Sequence, residues 1–312
     1  MNHRPFDRRS HPPGAAFREW RAPDGWRHRV MEWRQPPGRQ GRGTLIFAGG
    51  RGDFIEKYLE PLAHWHGAGW NVASFDWRGQ GDSRGDIDGG HLDSLDPLVE
   101  DLAALAGEIR SGWPGPHVAI GHSMGGHVLL RAIAEKRVTL DAAVLVAPML
   151  MINSASLPPW AAWWTASAAS AFGLRHHPLW RSSLAPAGEG SSRQRILTSC
   201  PERYADELWW WERQPGFDLG APSWGWLDAA YRSCSRLTPE LLKGVDTPVL
   251  IVATEADRLV SPEAIHRAAE AIPKARLKMF ETAGHEILRE TDPVRTEALE
   301  AIDGFLDEIA GR

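Results

Sequence analysis

Gly121-His122-Ser123-Met124-Gly125 sets one hydroxyl between two glycines in the order G-x-S-x-G. The short apolar run His117-Val118-Ala119-Ile120 precedes it and reads as a buried strand. Val128, Leu129, Ala132 and Ile133 follow at helical spacing. A strand, a sharp turn and a helix lift one side chain above the strand ends and point the first helical N–H groups toward it. The glycines let the backbone bend where a Cβ would clash. A serine hydroxyl at neutral pH is a poor nucleophile unless a base takes its proton and a third group orients that base.

Two later segments supply those groups. Thr254-Glu255-Ala256-Asp257-Arg258 follows the strand-like run 249–253, and Ala283-Gly284-His285-Glu286 follows a strand near 276–280. Serine, acid and histidine arrive in that chain order, each after a strand, where open α/β sheets bind ligands. Ser123 is therefore read as nucleophile, His285 as general base and then acid, and Asp257 as the carboxylate that holds the imidazole. Glu255 is the rival for the acid role. His122 reads as packing or support next to the serine, bordering the substrate site. An oxyanion hole needs two backbone N–H groups, and loss of one typically costs about 2.7–4 kcal/mol of transition-state stabilisation. Met124 is one expected donor. The glycine-rich loop Gly49-Gly50-Arg51-Gly52, after the run Thr44-Leu45-Ile46-Phe47-Ala48, is expected to give the other, with Gly50 against the substrate. That loop lacks the lysine and hydroxyl of a nucleotide-binding P-loop.

Around these residues, strands alternate with helices. Phe17 to Trp20 and Arg27 to Trp33 flank Ala22-Pro23-Asp24-Gly25 as a hairpin. Strands are predicted at 44–48, 71–75, 117–122, 142–146, 249–253 and 276–280, with helices at 95–109, 262–272 and 293–309 between or after them. This pattern predicts an α/β fold, a mainly parallel sheet with helices on both faces. The alternation stops over 149–244, which is expected to be an inserted, mainly helical cap. The core is then 17–148 with 245–312, and residues 1–16 are expected to be a disordered tail.

The chain has 312 residues, a formal net charge of -5 and 43% hydrophobic residues. No basic stripe with interleaved aromatics suggests nucleic acid. No run approaches the ~18 apolar residues of a membrane span. The arginine-rich start lacks the apolar run of a secretory signal. Cys200 and Cys234, the only two cysteines, suit a reducing compartment, and a cytoplasmic location is expected. No metal or cofactor is expected, because neither H-E-x-x-H nor a cysteine cluster is present. The oligomeric state is left open.

Nine of the sixteen tryptophans fall in the excursion: Trp160, Trp163, Trp164, Trp180, Trp209, Trp210, Trp211, Trp224 and Trp226. Consecutive Trp209-Trp210-Trp211 would point around a helix and not into one core. Such a cap favours an apolar acyl chain, at ~0.8 kcal/mol per buried CH₂. Some of Trp160, Trp163 and Trp164 are expected to reach the substrate or a bilayer surface.

The chain resembles α/β-hydrolases of the lysophospholipase and monoacylglycerol-lipase type, grouped with serine aminopeptidase-like hydrolases. The resemblance rests on residues 50–58 (Gly-Arg-Gly-Asp-Phe-Ile-Glu-Lys-Tyr), 76–83 (Asp-Trp-Arg-Gly-Gln-Gly-Asp-Ser) and Gly121 to Gly126, with Asp257 and Gly284-His285. Bacterial lysophospholipases are also similar at residues 220–227 (Gly-Ala-Pro-Ser-Trp-Gly-Trp-Leu). The resemblance implies a serine hydrolase that cleaves the carboxylic ester of a lysophospholipid or monoacylglycerol through an acyl-enzyme. It also implies the Arg51 N–H as second oxyanion donor. One departure is Gly49-Gly50, where related lipases often carry His-Gly. The Arg51 guanidinium has two readings: a phosphate contact at the mouth of the site, or a salt bridge to Asp53 or another nearby acid. The alternatives in function are a short- or medium-chain carboxylesterase or thioesterase, and a non-catalytic binding protein of the same fold.

Overall fold

A computed structural model of the chain describes residues 6–38, 41–154, 157–180, 188 and 190–311. Eight strands form one sheet in the order β1-β2-β4-β3-β5-β6-β7-β8. They are β1 (Ala16–Arg21), β2 (Arg27–Trp33), β3 (Gly43–Ala48), β4 (Trp70–Phe75), β5 (His117–His122), β6 (Ala142–Val146), β7 (Val249–Thr254) and β8 (Ala275–Phe280). The hairpin β1–β2 and the pair β2–β4 are antiparallel, and β4 through β8 pair in parallel. Every residue of β3 to β7 is buried, so these strands read as near-continuous apolar runs rather than alternating ones.

Helices α1 (Leu59–Gly67), α2 (Asp96–Gly112) and α3 (Met124–Ala134) alternate with the strands. Between β6 and β7 the chain leaves the sheet for α4 (Pro159–Ala169), α5 (Ser192–Leu197), α6 (Pro201–Arg213), α7 (Trp224–Cys234) and α8 (Pro239–Lys243). It returns through α9 (Pro262–Ala271) and closes with α10 (Asp292–Ala310). Two apolar clusters cover the two faces of the sheet. One is built on α2, α3 and α7, and the other on α1 and α10 with Trp210 and Phe217 from the excursion. No described helix is long and apolar enough to cross a membrane.

The expected disorder of residues 1–16 is corrected from Phe6 onward. Arg8 and Arg9 both pair with Asp206 of α6, and the His11 ring lies 2.8 Å from a Glu56 carboxylate oxygen. Phe6 packs against the second apolar cluster, and the Trp210 indole donates to the Arg8 carbonyl at 3.1 Å. The anions that order this segment lie far along the chain, so its own polar composition gave no sign of them. The tryptophan triplet is corrected as well. Trp209 and Trp211 pack against the cluster that holds Trp210. Arg213 lies 3.8 Å from the Trp209 ring centroid and Arg193 lies 4.7 Å from that of Trp211, so cations cover the outward faces.

Candidate active site

Ser123 sits at the turn from β5 to α3 with φ 52° and ψ -115°, a left-handed backbone for a residue that carries a Cβ. Such a conformation costs of order 1–3 kcal/mol and survives only where the surroundings over-determine it. Here they do. A Cβ on Gly121 would fall 2.6 Å from the Gly125 carbonyl oxygen, and one on Gly125 would fall 2.2 Å from that of Ala48. The absence of those two methyls lets α3 press onto β5 and β3. Ser123 N–H donates to Val146 at 2.9 Å and its carbonyl accepts from Met149 at 3.0 Å, which ties the turn to the end of β6.

The three residues expected to act together do meet. His285 Nε2 lies 2.9 Å from Ser123 Oγ, and His285 Nδ1 lies 2.7 Å from Asp257 Oδ2. Asp257 Oδ1 accepts the N–H groups of Leu259 (2.8 Å) and Val260 (3.0 Å), which fixes the carboxylate plane. Burial disfavours the Asp257 charge, but His285 and the two N–H groups bring its pKa below the ordinary carboxylate value. Burial likewise opposes a charged imidazole, yet the Asp257 carboxylate outweighs it and raises the His285 pKa. Glu255 is turned away and pairs with His266 at 2.8 Å in an exposed position.

The glycine loop after β3 is pinned on both sides of Arg51. Trp77 Nε1 donates to the Gly49 carbonyl (2.6 Å), Gly50 N–H donates to Asp53 (2.5 Å), and Gly52 N–H donates to Gln80 (2.6 Å). The Arg51 N–H has no partner among the described residues. Met124 opens α3, so its N–H is one of the unpaired donors of a helix start. Gly50 borders Ser123: a Cβ there would fall 2.9 Å from Ser123 Cβ. A Cβ on Gly49 would meet Asp53 Cβ at 2.9 Å, so the loop as packed leaves no room for a side chain at position 49.

A buried ionic cluster lies beneath this loop. Lys57 Nζ reaches Asp53 at 2.8 Å, Glu286 at 2.6 Å and Glu207 at 3.2 Å, and Arg289 pairs with Glu286 and with Glu207. Burial opposes the charges of Asp53, Lys57, Glu207 and Arg289. Lys57 and the His122 ring nevertheless hold the Asp53 carboxyl well below the usual carboxylate range, and Arg193 and Lys57 do the same for Glu207. Sequence reasoning missed this cluster. Its local signals are the i, i+4 spacing of Asp53 and Lys57 and the i, i+3 spacing of Glu286 and Arg289. His122 belongs to it too: Nδ1 is 2.8 Å from both Asp53 Oδ2 and Tyr58 Oη. The ring is 3% exposed, which corrects its expected place beside the substrate to one of support under the loop.

The cap reaches the His285 loop directly. His285 N–H donates to Ile196 (3.1 Å) and Glu286 N–H to Leu197 (2.8 Å), so α5 clamps the loop that carries the imidazole. On α4 the structure separates the three expected tryptophans. Trp163 donates to Asp228 of α7 at 3.1 Å, whereas Trp160 (67% exposed) and Trp164 (70%) face outward. The expected pairing of Arg51 with Asp53 does not form. Its guanidinium bonds instead to the carbonyls of Gly220 (3.0 Å) and Gly89 (2.8 Å). Cys200 and Cys234 are both buried and free.

The family model described as "Serine aminopeptidase, S33" matches residues 39–292. "Probable lysophospholipase L2" of Haemophilus influenzae is 26% identical over 291 residues, covering 85% of this chain and 84% of that protein. "Lysophospholipase L2" of Escherichia coli K12 is 28% identical over 283 residues, covering 85% and 80%. Among solved structures, a soluble variant of monoglyceride lipase from Saccharomyces cerevisiae, bound to a substrate analog, superposes with a TM-score of 0.70 at 18% identity. It covers 98% of this chain and 99% of that one. The sheet order and the helical layers are those of the α/β-hydrolase fold.

Proposed function

Because the chain belongs to the serine aminopeptidase S33 family of α/β-hydrolases, we propose that it is a serine ester hydrolase acting on a monoacyl lipid, a lysophospholipid or a monoacylglycerol. The observation that carries this is the contiguous chain Asp257–His285–Ser123, with links of 2.7 and 2.9 Å. The His285 imidazole takes the Ser123 proton as Oγ attacks the ester carbonyl. The Arg51 and Met124 N–H groups receive the oxyanion, and the imidazolium returns the proton to the leaving alcohol. Water activated by the same imidazole then releases the fatty acid and frees Ser123. The names of the curated relatives support a lipid ester over a small soluble one.

Trp160, Trp164 and Phe172 (87% exposed) lie on α4 and the turn after it, where no described residue covers them. We propose that this edge of the cap rests on the lipid surface from which substrate is drawn, with the rings at the membrane–water boundary. Turnover of p-nitrophenyl esters from acetate to palmitate, with lauroylglycerol and a lysophospholipid alongside, tests the substrate class. Long acyl chains should be favoured, and a maximum at acetate contradicts the lipid reading. Co-sedimentation with phosphatidylglycerol vesicles tests the surface: Trp160→Ser with Trp164→Ser should leave more protein in the supernatant, and recovery independent of lipid in the unsubstituted chain contradicts it.

A further inference from the structure

Arg51 is a partly enclosed cation for which the fold supplies no carboxylate among the described side chains. The nearest acid in the chain, Asp53, is taken by Lys57 and His122. The guanidinium spends two donors on the carbonyls of Gly89 and Gly220 and stacks 5.1 Å from the Trp226 ring centroid. Its Nε is buried without a partner. Burial brings its pKa down to about 9, so it still carries its charge at neutral pH. Lys57, by contrast, is buried among three carboxylates. The two carbonyls explain a clasp between the loop at Gly89 and the cap loop at Gly220. They do not explain a charge, because a neutral donor would make the same clasp without the cost of desolvating a cation.

The place of this cation relative to the serine gives it a use. Gly50 touches Ser123, and Arg51 is the next residue, with its side chain running out beneath the cap loop. The charge therefore stands about one side-chain length from the reacting carbonyl. A glycerol unit separates the ester of a monoacyl phospholipid from its phosphate by a comparable span. Resting on the ester-hydrolase reading above, we propose that Arg51 is the headgroup reader: its guanidinium takes the phosphate of the substrate and selects phosphate-bearing monoacyl esters over neutral ones. The planar cation, with donors left over, suits a phosphate better than a point charge would.

The test compares 1-lauroylglycerol with 1-lauroylglycerol 3-phosphate, which share one acyl chain, using the full chain and its Arg51→Gln and Arg51→Lys variants. The readout is the ratio of the two kcat/KM values, so any factor common to both substrates through a displaced Arg51 N–H cancels. Gln keeps donors for the clasp and removes the charge. The ratio should fall at least about tenfold in Arg51→Gln, the equivalent of ~1.4 kcal/mol, and stay nearer the unsubstituted value in Arg51→Lys. Equal losses on both substrates in both variants overturn the proposal and leave Arg51 a clasp. Inorganic phosphate and glycerol 3-phosphate are added as inhibitors of lauroylglycerol turnover. Inhibition by either with an unchanged substrate ratio also overturns it, since the site would then take a free phosphate and not a lipid headgroup. An unsubstituted chain that turns over neither ester contradicts the hydrolase reading itself, before any variant is compared.

Discussion

Lys57 holds Glu286 at 2.6 Å, one residue beyond the imidazole of His285. The same ammonium holds Asp53, which in turn holds the Gly50 N–H. One buried cation thus links the loop that carries His285 to the loop proposed to receive the oxyanion, and through Glu207 it links both to cap helix α6.

Removing that cation leaves Asp53, Glu207 and Glu286 facing one another, with Arg289 and the part-buried Arg193 as the cations left to them. Lys57→Met is expected to lower folding stability by about 3–5 kcal/mol, the usual cost of breaking a buried ion pair from one side. Urea unfolding followed by tryptophan fluorescence measures it. The acid side of the stability curve should report the same cluster. The folded pKa values of Asp53 and Glu207 are depressed, so their contribution is present above the unfolded carboxylate range of about 4 and is lost as pH falls through their folded values. The Lys57→Met protein should lose less stability than the unsubstituted chain as pH falls below about 4.

The pH–rate profile follows from His285. Only the neutral imidazole can accept the Ser123 proton, and Asp257 raises the pKa of the ring. The acid limb of kcat/KM for a p-nitrophenyl ester should therefore lie above the ordinary histidine value of about 6.5. Asp257→Asn removes the charge that raises it and leaves the burial that lowers it. The limb should move to lower pH, with kcat reduced by roughly 10⁴-fold. An unmoved limb in that variant would assign the titration to another group.

Cys234 lies behind the serine turn, with its thiol 3.4 Å from the Met149 carbonyl oxygen, and burial pushes its pKa up to about 12. Iodoacetamide at pH 8 should leave Cys234 unmodified in the native protein and alkylate both Cys200 and Cys234 after unfolding in urea. Rapid labelling of native Cys234, or recovery of a Cys200–Cys234 disulfide, would contradict the packing described.

The three side chains that meet at Ser123 were legible in the sequence because each follows a strand whose apolar run is easy to see. Strand ends at 122, 254 and 280 fix where Ser123, Asp257 and His285 emerge, and an open parallel sheet gathers those ends on one edge. The motif at 76–83 was visible as a pattern without its purpose, which is to grip the glycine loop through Trp77 and Gln80. The ionic cluster was not legible. Asp53 and Lys57, Glu207, and Glu286 with Arg289 come from three separate segments, and a charged residue read alone suggests solvent. The same reasoning misjudged Arg8, Arg9 and His11, whose partners are Asp206 and Glu56. For Trp160 and Trp164, composition indicated a purpose near lipid, but helical spacing does not say which face of α4 turns outward.

The central claim is a nucleophilic Ser123 activated by His285, and a fluorophosphonate probe tests it most directly. Peptide mapping of the labelled, unsubstituted chain should place the adduct on Ser123, with labelling absent in Ser123→Ala and strongly slowed in His285→Ala. A chain that stays unlabelled while folded, or an adduct on any other residue, would contradict the account.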